Sequence, residues 1–335
     1  MFLGCYNGRM LSSFLNRIKP DSFTLALLAT VAIATVLPCT GHLAVVFGDV
    51  TAVAIAALFF LHGAKLPREA IVAGMTHWRL HATVLGFTFV LFPLLGLLMT
   101  PVMGAMLTPE LTLGMLFLCM LPSTVQSSIA FTAMGRGNVP AAICSASASN
   151  FIGIFLTPLL VSAFVMQGAA GRSAGDAVLA IVIQLLLPFI AGQLMRRWIG
   201  AWVDRHKPVL KYVDQGSILL VVYTAFSDAV SEGIWGKLDA PTLAGLAVAC
   251  CALLAVVLWL TGYVSRRLGF SREDEITIIF CGSKKSLASG VPMAKVLFAT
   301  SSLGMVILPL MLFHQIQLMV CAVLAQRFGS RPPGD

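Results

Sequence analysis

Two lysines, Lys284 and Lys285, stand side by side in FCGSKKSLASG (residues 280–290), a stretch whose flanks are otherwise apolar. An ammonium in such a place can fill the position of a metal cation, hold an anionic substrate, or exchange a proton. Against these stands a plainer role, a long side chain hydrated or capped by carbonyls. A second polar run, LPSTVQSS (121–128), places Ser123, Thr124, Gln126, Ser127 and Ser128 directly after a proline. Hydroxyls and amides can orient a polar ligand, or bond to helix carbonyls and hold helices together. Asn150, which closes the small-residue run AAICSASASN (141–150), and Ser283 and Ser286, which flank the lysines, complete the candidate substrate- or ion-binding set.

The setting decides how costly these groups are. Of the 335 residues 58% are hydrophobic and 11% charged, and the mean hydropathy is +0.92, values outside the range of a soluble globular domain. Charge-free intervals at 80–109, 111–135, 137–171, 177–195, 240–265 and 296–326 each exceed or approach the roughly 20 residues that cross a bilayer core. The chain therefore reads as an all-α polytopic membrane protein. No nucleotide-binding loop, catalytic triad or metal quartet is present, so an enzyme is not expected, nor is a cofactor or a metal site. The eight cysteines fall mostly within apolar stretches without ligand spacing and read as small core residues. The first apolar run begins near Phe23 and lacks a good cleavage site, so it is expected to be retained.

Apolar runs set against turn signals and charges predict ten spans, at about 22–38, 46–63, 80–101, 110–135, 138–166, 175–195, 212–230, 240–264, 272–298 and 300–326. With a cytoplasmic N-terminus, 17 of the 22 basic residues fall on the cytoplasmic side and the outer loops hold only Arg172 and Lys237. This bias places both termini in the cytoplasm and accounts for the net charge of +8 without a nucleic-acid partner. The fourth and ninth spans contain breakers, Pro122 in one and Gly282 and Gly290 in the other. The breaks occupy the same place in spans 1–5 and spans 6–10, and five spans per half gives the halves opposite orientation. The expected plan is a cytoplasmic segment (1–21), a five-helix repeat (22–166), an inverted repeat (175–326) and a cytoplasmic tail (327–335).

Four stretches carry a resemblance: FFLHGAKLPREAI after the second span, FPLLG in the third, RGNVPAAICSASASNFIGIFLTPLL through the fifth and FCGSKKSLASGVPMAKVLF in the ninth. Together they resemble the bile acid:sodium symporter superfamily, in particular its branch of bacterial SBF-like proteins and vertebrate solute carrier family 10 member 7. The resemblance implies a panel domain (spans 1, 2, 6 and 7) and a core domain (spans 3–5 and 8–10), with discontinuous fourth and ninth helices crossing at their breaks. It also implies transport by movement of core against panel.

Sodium-coupled members of that superfamily carry an acidic residue shortly before a Gly-x-Gln-Asn run in the ninth helix. Aligned on Gly282, the acid position holds Phe280, and Lys284 and Lys285 stand at the Gln-Asn pair. The third-helix glutamine falls on Thr88 and the fifth-helix hydroxyls on Ala142 and Ala146, with the fourth-helix Ser-Asn pair at or near Ser127-Ser128 or Ser128-Ile129. A carboxylate is lost and two cations are gained, which argues against conventional two-sodium coupling and leaves sodium open. A lysine at the bilayer centre costs roughly 2.5–3.5 kcal/mol on insertion scales, so each needs a partner. The expectation is a secondary transporter of a small organic anion in a bacterial inner membrane. The rival from another class is a non-transporting membrane regulator of ion entry, and a sodium-coupled bile-acid-like symporter is a further alternative.

Overall fold

The computed structural model describes residues 22–65, 77–164, 182–298 and 303–331. The expected N-terminal segment at 1–21, Arg68, Arg172 and the last four residues lie outside them. Among the described residues every regular element is helical. In chain order these are α1 (Ser22–Val36), α2 (His42–Lys65), α3 (Trp78–Met106), α4 (Pro109–Met120), α5 (Val125–Met134), α6 (Val139–Phe164) and α7 (Leu187–Arg205). The second half continues with α8 (Lys207–Ser231), α9 (Ala240–Arg267), α10 (Arg272–Gly282), α11 (Leu287–Leu297) and α12 (Leu303–Gly329).

Among the described residues six helices, α2, α3, α6, α8, α9 and α12, are long and apolar enough to cross a membrane, and a seventh span arises if α4 and α5 count as one. α1 is apolar but only 15 residues long, and α10 and α11 are 11 residues each. Of the ten expected spans, six or seven are therefore matched among the described residues by helices of sufficient length and apolarity.

Both expected breaks are present, and local chemistry explains them. α4 begins with Thr108 accepting from the Leu111 amide and with Pro109 and Glu110 in its first turn, a good N-terminus. It ends at Met120 because Pro122 forces Leu121 into an extended conformation. α5 resumes at Val125, bent by 62° from α4. α10 starts on a Ser271 cap with Glu273, Asp274 and Glu275 in its first turn. It ends at Gly282, and α11 restarts on a Ser286 cap that accepts from the Ser289 amide.

In α3 the turn Phe87–Leu91 is π-helical, so the Phe92 amide bonds to the Phe87 carbonyl. The next residue, Pro93, has no N–H to give. The Thr88 carbonyl is thereby left without a backbone donor. Close approaches elsewhere depend on glycine. A Cβ on Gly63 of α2 would overlap the Phe189 carbonyl of α7, and one on Gly192 of α7 would overlap the Phe60 carbonyl of α2. The two backbones meet at a reciprocal pair of glycines.

Candidate functional site

The two breaks are tied directly to one another. Ser123 Oγ donates to the Cys281 carbonyl at 2.6 Å, Thr124 Oγ1 to the Lys285 carbonyl at 2.9 Å, and Ser128 Oγ to the Phe280 carbonyl at 3.1 Å. In return the Ser286 amide donates to the Pro122 carbonyl at 2.9 Å. α6 closes the assembly from the side: Ser149 Oγ accepts from the Ser123 amide at 3.0 Å, and Asn150 Nδ2 donates to the Ser123 carbonyl at 2.8 Å. Gln317 of α12 grips the Lys285 backbone at both ends, with Oε1 accepting from its amide at 3.0 Å and Nε2 donating to its carbonyl at 2.9 Å. Backbone groups released by the breaks are thus satisfied by side chains, as unwound helix inside a membrane requires.

Lys285 is fully buried, and its ammonium is the centre of this assembly. It donates to the carbonyls of Thr88 at 2.8 Å, Cys119 at 2.8 Å and Leu121 at 2.7 Å, while the Phe92 ring lies 4.1 Å away. Three donors meet three acceptors. Each acceptor is a carbonyl that its own helix does not use in the ordinary way: Thr88 faces Pro93, Cys119 has lost the Ser123 amide to Ser149, and Leu121 lies in the break. Charge-assisted bonds of this kind are worth about 1.5–3 kcal/mol each, set against the desolvation of a fully buried ammonium.

Lys284 differs. It is also fully buried, yet among the described residues its Nζ has no hydrogen-bond partner and lies 3.8 Å over the Phe131 ring of α5. A desolvated cation–π contact is worth on the order of 2 kcal/mol, less than the hydrogen bonds that it replaces. The lysine pair expected from sequence therefore divides into one caged and one unbonded ammonium, and the second does not reach the polar cavity described next. Of the other candidates, Ser283 Oγ bonds back to the Ile279 carbonyl at 2.6 Å, Ser286 caps α11, and Ser127 Oγ is buried without a partner.

Beside the joined breaks lies a cavity of about 330 Å³ between α2, α7 and α8 on one side and α5, α6 and α11 on the other. Gln126 and Asn150 line it, as does Ser289, whose hydroxyl donates to Asn150 Oδ1 at 2.7 Å. The charged lining is Lys65, Lys207, Lys211 and Asp214. Lys65 pairs with Asp214 Oδ2 at 2.5 Å, and the second carboxylate oxygen of Asp214 is buried without a partner. Lys207 reaches Asp204 at 3.0 Å, and this hydrogen bond, aided by the charges of Lys207 and Arg196, holds the Asp204 carboxyl below its usual range. Lys211 makes no ion pair among the described residues. Arg196 also caps the Ala64 carbonyl at the end of α2.

Two classes of residue escaped the reading of the sequence. Gln317 stands in α12 close to His314 and Gln315, and Ser149 in the small-residue run that Asn150 closes; the polar spacing of His314 and Gln317 is the signal that could have found the first, and in the fold these two side chains bond to one another at 3.0 Å. The basic residues Lys65, Lys207 and Lys211 were legible as topology signals alone. Among the described residues no group of three His, Cys, Asp or Glu side chains comes together to hold a metal.

Helices long and apolar enough to cross a membrane, with two broken helices joined at their breaks and a cavity beside them, fit an integral membrane protein, and its family and relatives make its class that of a secondary transporter. The chain belongs to the SBF-like CPA transporter family, whose model matches residues 21–330. It is 67% identical over 317 residues to an uncharacterised protein of Pseudomonas aeruginosa, covering 94% of this chain and 95% of that one. A symporter candidate of Escherichia coli, YfeH, is 56% identical over 308 residues, with 92% of each chain covered. The sodium/bile acid cotransporter 7-A of Xenopus laevis is 30% identical over 335 residues, with 94% of each covered. The family is one of transporters, not enzymes, and the Escherichia coli and Xenopus laevis relatives carry transporter names.

Proposed function

We propose that this protein moves a small organic anion across a bacterial inner membrane by alternating access, with the ammonium of Lys285 standing where a coupling sodium would otherwise sit. The observation that carries the reading is the three-carbonyl cage filled by Lys285 beside a cavity with three lysines and one carboxylate. A vertebrate relative is named as a sodium/bile acid cotransporter, which supports an anionic substrate in a protein of this plan. The excess of lysine favours an anion, and so does the start of α5. No side chain caps its first turn, and Val125 and Gln126 of that turn line the cavity, so its free amides and positive dipole end are available to negative charge.

The ten-span plan with two inverted five-helix repeats, both termini cytoplasmic, belongs to the same reading. α1, α2, α7 and α8 form the panel, and the remaining helices form the core that moves against it. Substrate contacts fall to Gln126, Asn150, Ser289 and Lys211. The residues of the crossing, Ser123, Thr124, Ser128, Lys285 and Ser286, hold the two broken helices as one body, and Ser127, Ser283 and Lys284 belong to its interior.

The test is a thermal-shift screen of organic anions on the purified protein with and without sodium, followed by uptake of any hit into proteoliposomes. An anion that stabilises the protein and is accumulated equally in sodium and potassium supports the proposal. Uptake that requires sodium would restore the sodium-coupled symporter. Stabilisation by no anion, together with no uptake, would favour the membrane regulator of ion entry.

A further inference from the structure

A second and larger recess lies on the opposite side of the crossing, away from the polar cavity. It is a groove of about 700 Å³ between α9 and α12, with Ile279 of α10 at its base. Along α12 its wall is Ile316, Val320, Leu324 and Phe328, every fourth residue, which makes one straight apolar stripe. Along α9 it runs from Cys251 through Leu258 and Gly262 to Arg266 and Arg267. Trp259 and Tyr263, stacked at 5.5 Å between ring centroids and both exposed, form its outer lip.

Charge is confined to one end. Among the described residues the charged ones that line the groove are Arg266 and Arg267. Arg266 donates through Nε to Glu275 at 2.9 Å, yet 68% of its side chain stays exposed. Arg267 rests over the Tyr263 ring at 5.2 Å and makes no hydrogen bond or ion pair among the described residues. Arg272, over the Phe328 ring at 5.3 Å, shares Glu275 through a 3.2 Å contact. Glu275 thus serves two arginines at once, Asp274 is turned to Asn138, and Glu273 is exposed on the same turn. Arg267 is thus the guanidinium at the mouth that has no carboxylate partner among the described residues, and Arg266 keeps most of its side chain exposed beside it.

We infer that this groove is a binding site for one anionic phospholipid, with an acyl chain along the α12 stripe and the phosphodiester at Arg266 and Arg267. The dimensions agree. Ile316 to Phe328 spans about 18 Å of helix, close to the roughly 15 Å depth of one hydrocarbon leaflet. An apolar trough ending in arginines beside stacked aromatic rings is also the arrangement that holds an acidic headgroup at the interface. Gly262 keeps the floor open: a Cβ there would meet its neighbours only at ordinary contact, 3.4 Å from the Arg266 side chain and 3.7 Å from Ile279. A longer side chain at this position would therefore fill the groove without breaking the packing beneath it.

The experiment titrates the detergent-purified full chain with dioctanoyl phosphatidylglycerol, dioctanoyl phosphatidylcholine or inorganic phosphate, read by native mass spectrometry and thermal shift. Phosphatidylglycerol is expected to bind saturably and about tenfold more tightly than phosphatidylcholine, equivalent to about 1.4 kcal/mol. Gly262→Leu and Arg267→Gln should each remove most of that preference while melting like the wild type in detergent alone. Equal binding of the two lipids, a response reproduced by phosphate, or an undiminished preference in both variants would overturn the inference. Should one variant lose its fold, the other still decides.

Discussion

The ammonium of Lys285 lies 2.8 Å from the carbonyl of Thr88, a residue 197 positions earlier in the chain. That oxygen is free because a π turn shifts the hydrogen-bonding ladder of α3 by one residue, onto Pro93. The lysine therefore links three breaks in regular helix: the π turn of α3, the end of α4, and the gap between α10 and α11. A change at any one of them should be felt at the others.

Removing the caged ammonium should expose the site to a free cation. Lys285→Ala leaves three buried carbonyls without a donor, at a cost of about 1–3 kcal/mol for each group left unsatisfied. The variant is expected to melt well below wild type and to recover stability saturably with sodium chloride but not with choline chloride. Wild type should respond equally to both salts. A sodium-specific stabilisation of the wild type, or none in the variant, would remove the cage from the account.

Lys284 should behave in the opposite sense. Lys284→Met keeps most of the side-chain volume and deletes a buried charge that lies over the Phe131 ring and has no hydrogen-bond partner among the described residues, and a buried charge without hydrogen bonds opposes folding. Thermal unfolding of Lys284→Met and Lys285→Met measured side by side should show the first at or above wild type and the second below it. The reverse order would mean that the partners of the two ammonium groups have been exchanged.

In the cavity, Lys211→Gln removes a cation that has no ion-pair partner among the described residues. Anion binding, once a ligand is found, should weaken about tenfold, roughly 1.4 kcal/mol, with little change in melting temperature. Asn150→Ala should lower both binding and stability, because Asn150 lines the cavity and also bonds to the Ser123 carbonyl and the Ser289 hydroxyl. Equal binding losses with an unchanged melting temperature in Asn150→Ala would place that residue in the cavity alone.

The glycine contact between α2 and α7 gives a prediction independent of the site. Gly192→Ala drives a methyl group into the Phe60 carbonyl, whereas Gly86→Ala meets nothing within 4 Å. The first should lower the melting temperature markedly. The second should leave it unchanged or raise it slightly, since alanine favours helix by about 1 kcal/mol over glycine. Similar behaviour of the two variants would mean that the helices do not approach so closely.

The sequence by itself determined what depends on composition and local order. The low charge content and long apolar intervals require a membrane protein, and Pro122 and Gly282 interrupt their helices wherever these lie, because a missing N–H and a missing side chain act locally. The lysine pair was visible as an anomaly for the same reason. Which lysine is caged was not, since adjacent residues on a chain leaving a helix diverge in direction and the acceptors come from residues 88, 119 and 121. Nor could the sequence separate Gln126 and Asn150, which reach the cavity, from Ser123, Thr124 and Ser128, which spend their hydroxyls on carbonyls across the break. The cavity's lysines read only as loop charge, because their meeting with α5 and α6 depends on how α2 and α8 dock. Hydrogen-bond partners more than a hundred residues apart are fixed by helix packing alone, and only the tertiary structure decided them.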